Sequence, residues 1–128
     1  MKEPGAVLDS SVWIEILSSG PALKSCKKAL NLYPRILVPT LVIFEVYRKI
    51  ASSTSEDQAL AAISVMTQYE VVELTQDISL LAGDLSLQYK LDSVDSLILA
   101  HAHIQNSILV TLDYDFHKLP GVKLLKQT

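Results

Sequence analysis

The chain has 128 residues, 49% hydrophobic and 20% charged, with a formal net charge of −3. That length and apolar content suit one folded domain spanning residues 1–128 and exclude a disordered chain. The acidic balance, with a pI of about 5.5, excludes a protein whose whole surface grips nucleic acid. The single cysteine, Cys26, rules out an intrachain disulfide and points to a reducing, cytoplasmic setting.

In chain order, the segment before Asp9 has no apolar run, so no leader is expected. Ala6 to Leu8 reads as a strand, followed by a helix from Ser11 to Leu17 that Ser18-Ser19-Gly20-Pro21 ends. Ala22 to Leu32 is helical, stopped by Tyr33-Pro34. On this helix Lys24, Lys27 and Lys28 share one face, an arrangement usual for a solvated surface. Ile36 to Val38 forms a second strand, and Thr40 is expected to cap a helix from Leu41 to about Ala51. A serine-rich loop leads to a helix from Glu56 to Gln68 and a strand from Val71 to Leu74. Thr75 caps a helix from Gln76 to Tyr89, and Asp92 or Ser93 caps one from Val94 to Gln105. Ile108 to Val110 is a strand, a helical turn lies around Asp113 to His117, and Val122 to Leu124 suits a last strand. The longest uncharged run, Ser96 to Leu112, is broken by polar residues and is no membrane span. Continuous apolar strands alternating with helices predict a parallel sheet covered on both faces, with ligands at its carboxyl edge.

Four acids stand out on that plan. Asp9 closes the first strand, Glu45 interrupts an apolar helix, Asp95 opens another, and Asp113 follows the fourth strand. Each has an ordinary structural reading: Asp9 and Asp113 as helix caps, Glu45 as half of an ion pair with Lys49, Asp95 as a first-turn carboxylate. Their joint placement near strand ends suggests more. Carboxylates about 5 Å apart repel by about 3 kcal/mol per pair at an effective dielectric of 20. A divalent cation relieves that repulsion, and all-oxygen sites suit Mg²⁺ or Mn²⁺. No Ser/His/Asp triad is apparent; His101, His103 and His117 lack metal-ligand spacing and are read as structural or surface residues. Cys26, with no His or acid near it in sequence, is read as inert.

The words around these acids are ordered: Asp9-Ser10-Ser11-Val12-Trp13-Ile14, Glu45 in the helix after Val38-Pro39, Asp95-Ser96-Leu97-Ile98-Leu99-Ala100, and Val110-Thr111-Leu112-Asp113-Tyr114-Asp115-Phe116. From about Val7 to Lys123 the series resembles the PIN-domain ribonucleases, most closely the VapC type of toxin from toxin–antitoxin pairs. The resemblance implies a PIN-like α/β three-layer sandwich, a central parallel sheet of about five strands with helices on both faces. It also implies a Mg²⁺- or Mn²⁺-dependent cut in RNA leaving a 5′ phosphate, a homodimer and a cognate antitoxin. On it Asp9, Glu45, Asp95 and Asp113 are the catalytic acids, with Asp9, Asp95 and Asp113 on the metal. Ser10 and Thr111 are accessory hydroxyls, and Asp115 and Asp92 accessory acids. Arg48 and Lys49 are expected RNA contacts. The apolar helix carrying Val12, Trp13, Ile16 and Leu17 is either core or a groove for an antitoxin segment. Helices 41–50 and 60–66 offer apolar surface for a dimer. Rival readings are a PIN-like interaction module without catalysis and a receiver-like signalling domain. The second needs an acidic pair after the first strand, where Ser10-Ser11 stands, and an Asp after the third, where Thr75-Gln76 stands.

Overall fold

A computed structural model describes residues 5–126, so residues 1–4 and 127–128 of the expected domain lie outside the described residues. The strands are β1 (Gly5–Leu8), β2 (Arg35–Pro39), β3 (Glu70–Val72), β4 (Ile108–Thr111) and β5 (Val122–Leu124). The helices are α1 (Ser10–Ser18), α2 (Leu23–Leu32), α3 (Thr40–Ser53), α4 (Glu56–Met66), α5 (Gln76–Tyr89) and α6 (Ser93–Ile104), and Tyr114–Phe116 adds one 3₁₀ turn. The strands form one sheet in the order β3-β2-β1-β4-β5, every pair parallel. This is the expected five-stranded parallel α/β architecture. A receiver-like domain would run 2-1-3-4-5, so that rival is excluded by strand order.

β1 and β4 are wholly apolar except for Thr111, and Ala6, Val7, Leu8, Leu109 and Val110 are fully buried. Helices cover both faces, which explains why these strands carry no polar alternation. At β1 the winding reverses: the chain runs outward through β2 and β3, then returns to β4 and β5 on the other side. Such a switch point opens a crevice at the carboxyl ends of the two strands, because their connections leave in opposite directions. The Asp9 amide donates to the Val110 carbonyl at 3.1 Å, extending the β1–β4 ladder to the rim of that crevice.

Two sequence expectations need adjustment, and one open alternative is decided. Thr40 does not cap α3; it is the first helical residue, and Pro39 stands at the cap position with no side-chain bond. Pro39 has no side-chain oxygen to accept an amide hydrogen, so strand passes to helix without a polar cap. The third strand is Glu70–Val72 rather than Val71–Leu74, because its register is set by Leu37, Val38 and Pro39 of β2. Val12 and Trp13 belong to the core, with the Trp13 ring tilted against Tyr69 at 5.6 Å. Neither is available to a docking segment.

Candidate metal centre

Asp9 is the buried base of the crevice, 5% exposed. It caps α1, its Oδ1 accepting from the Val12 amide at 3.3 Å. Two hydroxyls bind it more tightly. Ser11 Oγ donates to Oδ1 at 2.5 Å and accepts from the Leu112 amide at 3.1 Å. Thr111 Oγ1 donates to Oδ2 and accepts from the Asp113 amide at 2.9 Å. A hydroxyl has one proton. With each oxygen taking an amide hydrogen, each proton is directed at Asp9. The carboxylate is thereby tied through both oxygens to the segment leaving β4.

Sequence reasoning missed Ser11. The signal was its position two after a capping Asp, where a hydroxyl can reach back to the capping side chain. Ser10, expected among the acid-binding hydroxyls, acts on Glu45, while Ser11 binds Asp9.

Asp95 and Asp113 arrive from other elements. Asp95 is in the first turn of α6, where the helix N-terminus is electropositive. The preceding Asp92 caps that helix, accepting from the Asp95 amide at 2.9 Å. Asp113 caps the 3₁₀ turn, accepting from the Asp115 amide at 2.9 Å. One oxygen from each of Asp95, Asp113 and Asp115 falls within 4.8 Å of the others. Asp9 is outside that trio, its oxygens being turned to Ser11, Thr111 and Val12.

The electrostatics record the convergence. Asp95 is pushed up to about 7 by burial, then by Asp92, Asp113, Glu45 and Asp9. Burial also raises Glu45, with the Ser10 hydroxyl opposing it and Asp9 and Asp92 adding to it. Asp9 is raised by burial against its three hydrogen bonds, with a contribution from Asp113. Among the described residues no basic side chain offsets any of these shifts. Among the described residues the ion pair present is Arg35–Glu70, on the amino-end side of the sheet, and Glu45 makes no bridge to Lys49. Glu45 Oε1 is buried without a hydrogen-bond partner. Convergent carboxylates, one proton-hungry at neutral pH and one with an orphaned oxygen, fit a hard divalent cation.

Beside the acids a cleft of about 520 Å³ is lined by Ser10, Glu45, Arg48, Lys49 and Phe44 among others. Glu45, Arg48 and Lys49 thus share one opening, while Lys24, Lys27 and Lys28 are exposed along α2. Of the histidines, His101 is fully buried, His103 meets the Pro120 carbonyl at 3.2 Å, and His117 stacks on Tyr114. Cys26 is buried, and its thiol is pushed up to about 11, first by burial and then by Glu15 and Asp9; it is a poor nucleophile.

Solved structures share this architecture. A toxin–antitoxin complex from Klebsiella pneumoniae has a TM-score of 0.82 at 25% identity, covering 96% of this chain and 99% of that one. VapC20 of Mycobacterium tuberculosis, a toxin that cleaves the sarcin–ricin loop, has a TM-score of 0.77 at 16% identity, covering 93% and 98%. VapBC2 of Rickettsia felis, bound to promoter DNA, has a TM-score of 0.75 at 17% identity, covering 94% and 97%. No curated protein sequence matches. The PIN domain family model matches residues 6–122. That span runs from β1 to the first residue of β5 and takes in every strand framing the crevice, so the chain belongs to the PIN-domain family.

Proposed function

We propose that this protein is a divalent-metal-dependent endoribonuclease and the toxin of a VapBC-type pair. The observation that carries the reading is the meeting of Asp9, Glu45, Asp95, Asp113 and Asp115 at one crevice where, among the described residues, no ion pair neutralises them. A PIN-like interaction module would gain nothing from that costly arrangement.

Asp95, Asp113 and Asp115 would hold Mg²⁺ or Mn²⁺, with Asp9 as a further ligand. When bound, such an ion acidifies water and offsets charge on a scissile phosphate. Ser11 and Thr111 favour the ionised form of Asp9 against its burial and orient it by donating to both its oxygens. Glu45 offers its unpartnered Oε1 to the attacking water. Ser10 orients Glu45, and Asp92 holds Asp95 in place by capping its helix. Arg48 and Lys49, in the cleft shared with Glu45, bind the phosphates on either side of the cut. The products carry a 5′ phosphate and a 3′ hydroxyl.

A cognate antitoxin is the second partner, consistent with the complexes named above. Its segment fits a groove of about 540 Å³ between α1, α3 and α4, lined by Ile14, Leu17, Ile50, Ala62 and Val65. Exposed Phe44 on α3 and Leu80 and Leu87 on α5 supply the homodimer contact. Among the described residues no helix is long and apolar enough to cross a membrane, and a cytoplasmic site of action follows from the RNA substrate.

The test is cleavage of a structured RNA with Mg²⁺, with EDTA, and by Asp95→Asn and Glu45→Gln. Activity should vanish with EDTA and fall about 10²-fold or more in each variant. Equal cleavage under all conditions would refute the metal mechanism.

A further inference from the structure

Tyr114 and His117 have no part in the chemistry above, yet they occupy the turn that carries two of the three clustered carboxylates. Their rings lie 4.1 Å apart at 12°, a face-to-face stack. Both are exposed, Tyr114 to 67%. Leaving two flat apolar faces in water has no evident structural benefit. The pair is nonetheless tied to the turn. Asp113 caps the turn, His117 Nδ1 meets the Tyr114 carbonyl at 2.8 Å, and Phe116 between them is buried as the turn's anchor.

An uncharged contact suits these surroundings. The chain is net negative, and the crevice itself is acidic. Phosphate attraction can supply only part of RNA affinity. Stacking of an unpaired base on an aromatic face needs no charge and tolerates any base.

We propose that the Tyr114–His117 stack is a shelf for an unpaired nucleobase next to the scissile phosphate, which restricts the substrate to single-stranded or looped RNA. This rests on the ribonuclease reading. Tyr114, with its outer face free, is the specificity-determining residue; His117 is a positioning residue that backs it.

The full-length Asp95→Asn protein, blocked in cleavage, is titrated with a single-stranded RNA oligonucleotide containing 2-aminopurine and with the matching duplex. Single-stranded RNA should bind with quenching of 2-aminopurine fluorescence and the duplex at least tenfold more weakly. Tyr114→Ala should lose the quenching and about tenfold in affinity, since one base–aromatic stack is of that size. Tyr114→Phe should retain both, because the ring and not the hydroxyl stacks. Unchanged binding by Tyr114→Ala, failure of Tyr114→Phe to retain it, or equal affinity for duplex overturns the shelf. The two readings fail separately. Wild-type protein that cleaves RNA with Mg²⁺, while Tyr114→Ala cleaves with unaltered KM, loses the shelf and keeps the nuclease. Quenching by a wild-type protein that cuts no RNA keeps the shelf and loses the nuclease.

Discussion

Burial, and then Asp92, Asp113, Glu45 and Asp9, push the Asp95 carboxyl up to about 7. Its ordinary value is 3.8, so between about 4 and 7 the folded chain keeps a proton that the unfolded chain has released. Without metal, stability from this group is greatest below that window and declines as pH rises through it. Thermal unfolding in EDTA should show this decline, and Asp95→Asn should flatten it. Added Mg²⁺ should raise the unfolding temperature more at pH 8 than at pH 6, because the ion competes with the proton. Cleavage should rise through pH 7 for the same reason. Glu45 was visible in the sequence as an acid inside an apolar helix, with Lys49 one turn on as an obvious partner. Its orphaned Oε1 was not, because spacing permits an ion pair without requiring one. Glu45→Gln should fold with stability within about 1 kcal/mol of wild type, measured by urea unfolding, since the change removes a half-buried carboxylate and keeps the shape.

At the scale of elements, the join between α1 and β4 depends on the hydroxyl relays of Ser11 and Thr111. Thr111→Val is nearly isosteric and deletes a donor to Asp9 and an acceptor for the Asp113 amide. It should cost about 1–3 kcal/mol in urea unfolding and push the Asp9 carboxyl higher still. A loss under 0.5 kcal/mol, on the order of a typical surface change, would mean that the relay does not hold the site together. The helices were largely legible because Thr75 and Asp92 are strong caps, and both accept the expected amides. The third strand was displaced because its own three residues, two of them exposed, are weak signals; pairing with β2 decides which residues are strand. Thr40 looked like a cap by residue type, but Pro39 already holds the extended conformation that the cap position requires.

The molecule as a whole presents two apolar surfaces and one buried liability. Leu87, 83% exposed on α5, should break the proposed dimer when changed to Lys, giving a monomer by sedimentation at micromolar concentration with the fold retained. His101 is buried with neither ring nitrogen bonded, and burial lowers its pKa below the ordinary 6.5. The folded chain therefore rejects a proton that the unfolded chain accepts, and stability from this residue falls as pH drops through 6.5. His101→Leu should stabilise by about 1 kcal/mol, more at pH 5 than at pH 8, in urea unfolding at both pH values. That trend opposes the one from Asp95, so each variant isolates one arm of the pH profile.

Local pattern alone determined the alternation of apolar strand and amphipathic helix, the parallel sheet it requires, and the acids set near strand ends, because those depend on periodicity and residue type over short windows. Only the tertiary structure decided that β1 lies between β2 and β4, since strand order follows from how both faces are covered and not from any one segment. That order brings Asp9 to Thr111, residues 102 apart in the chain. It also groups Asp115 and Asp113 with Asp95. Side chains from four separate elements become neighbours only when the sheet edge they share has closed.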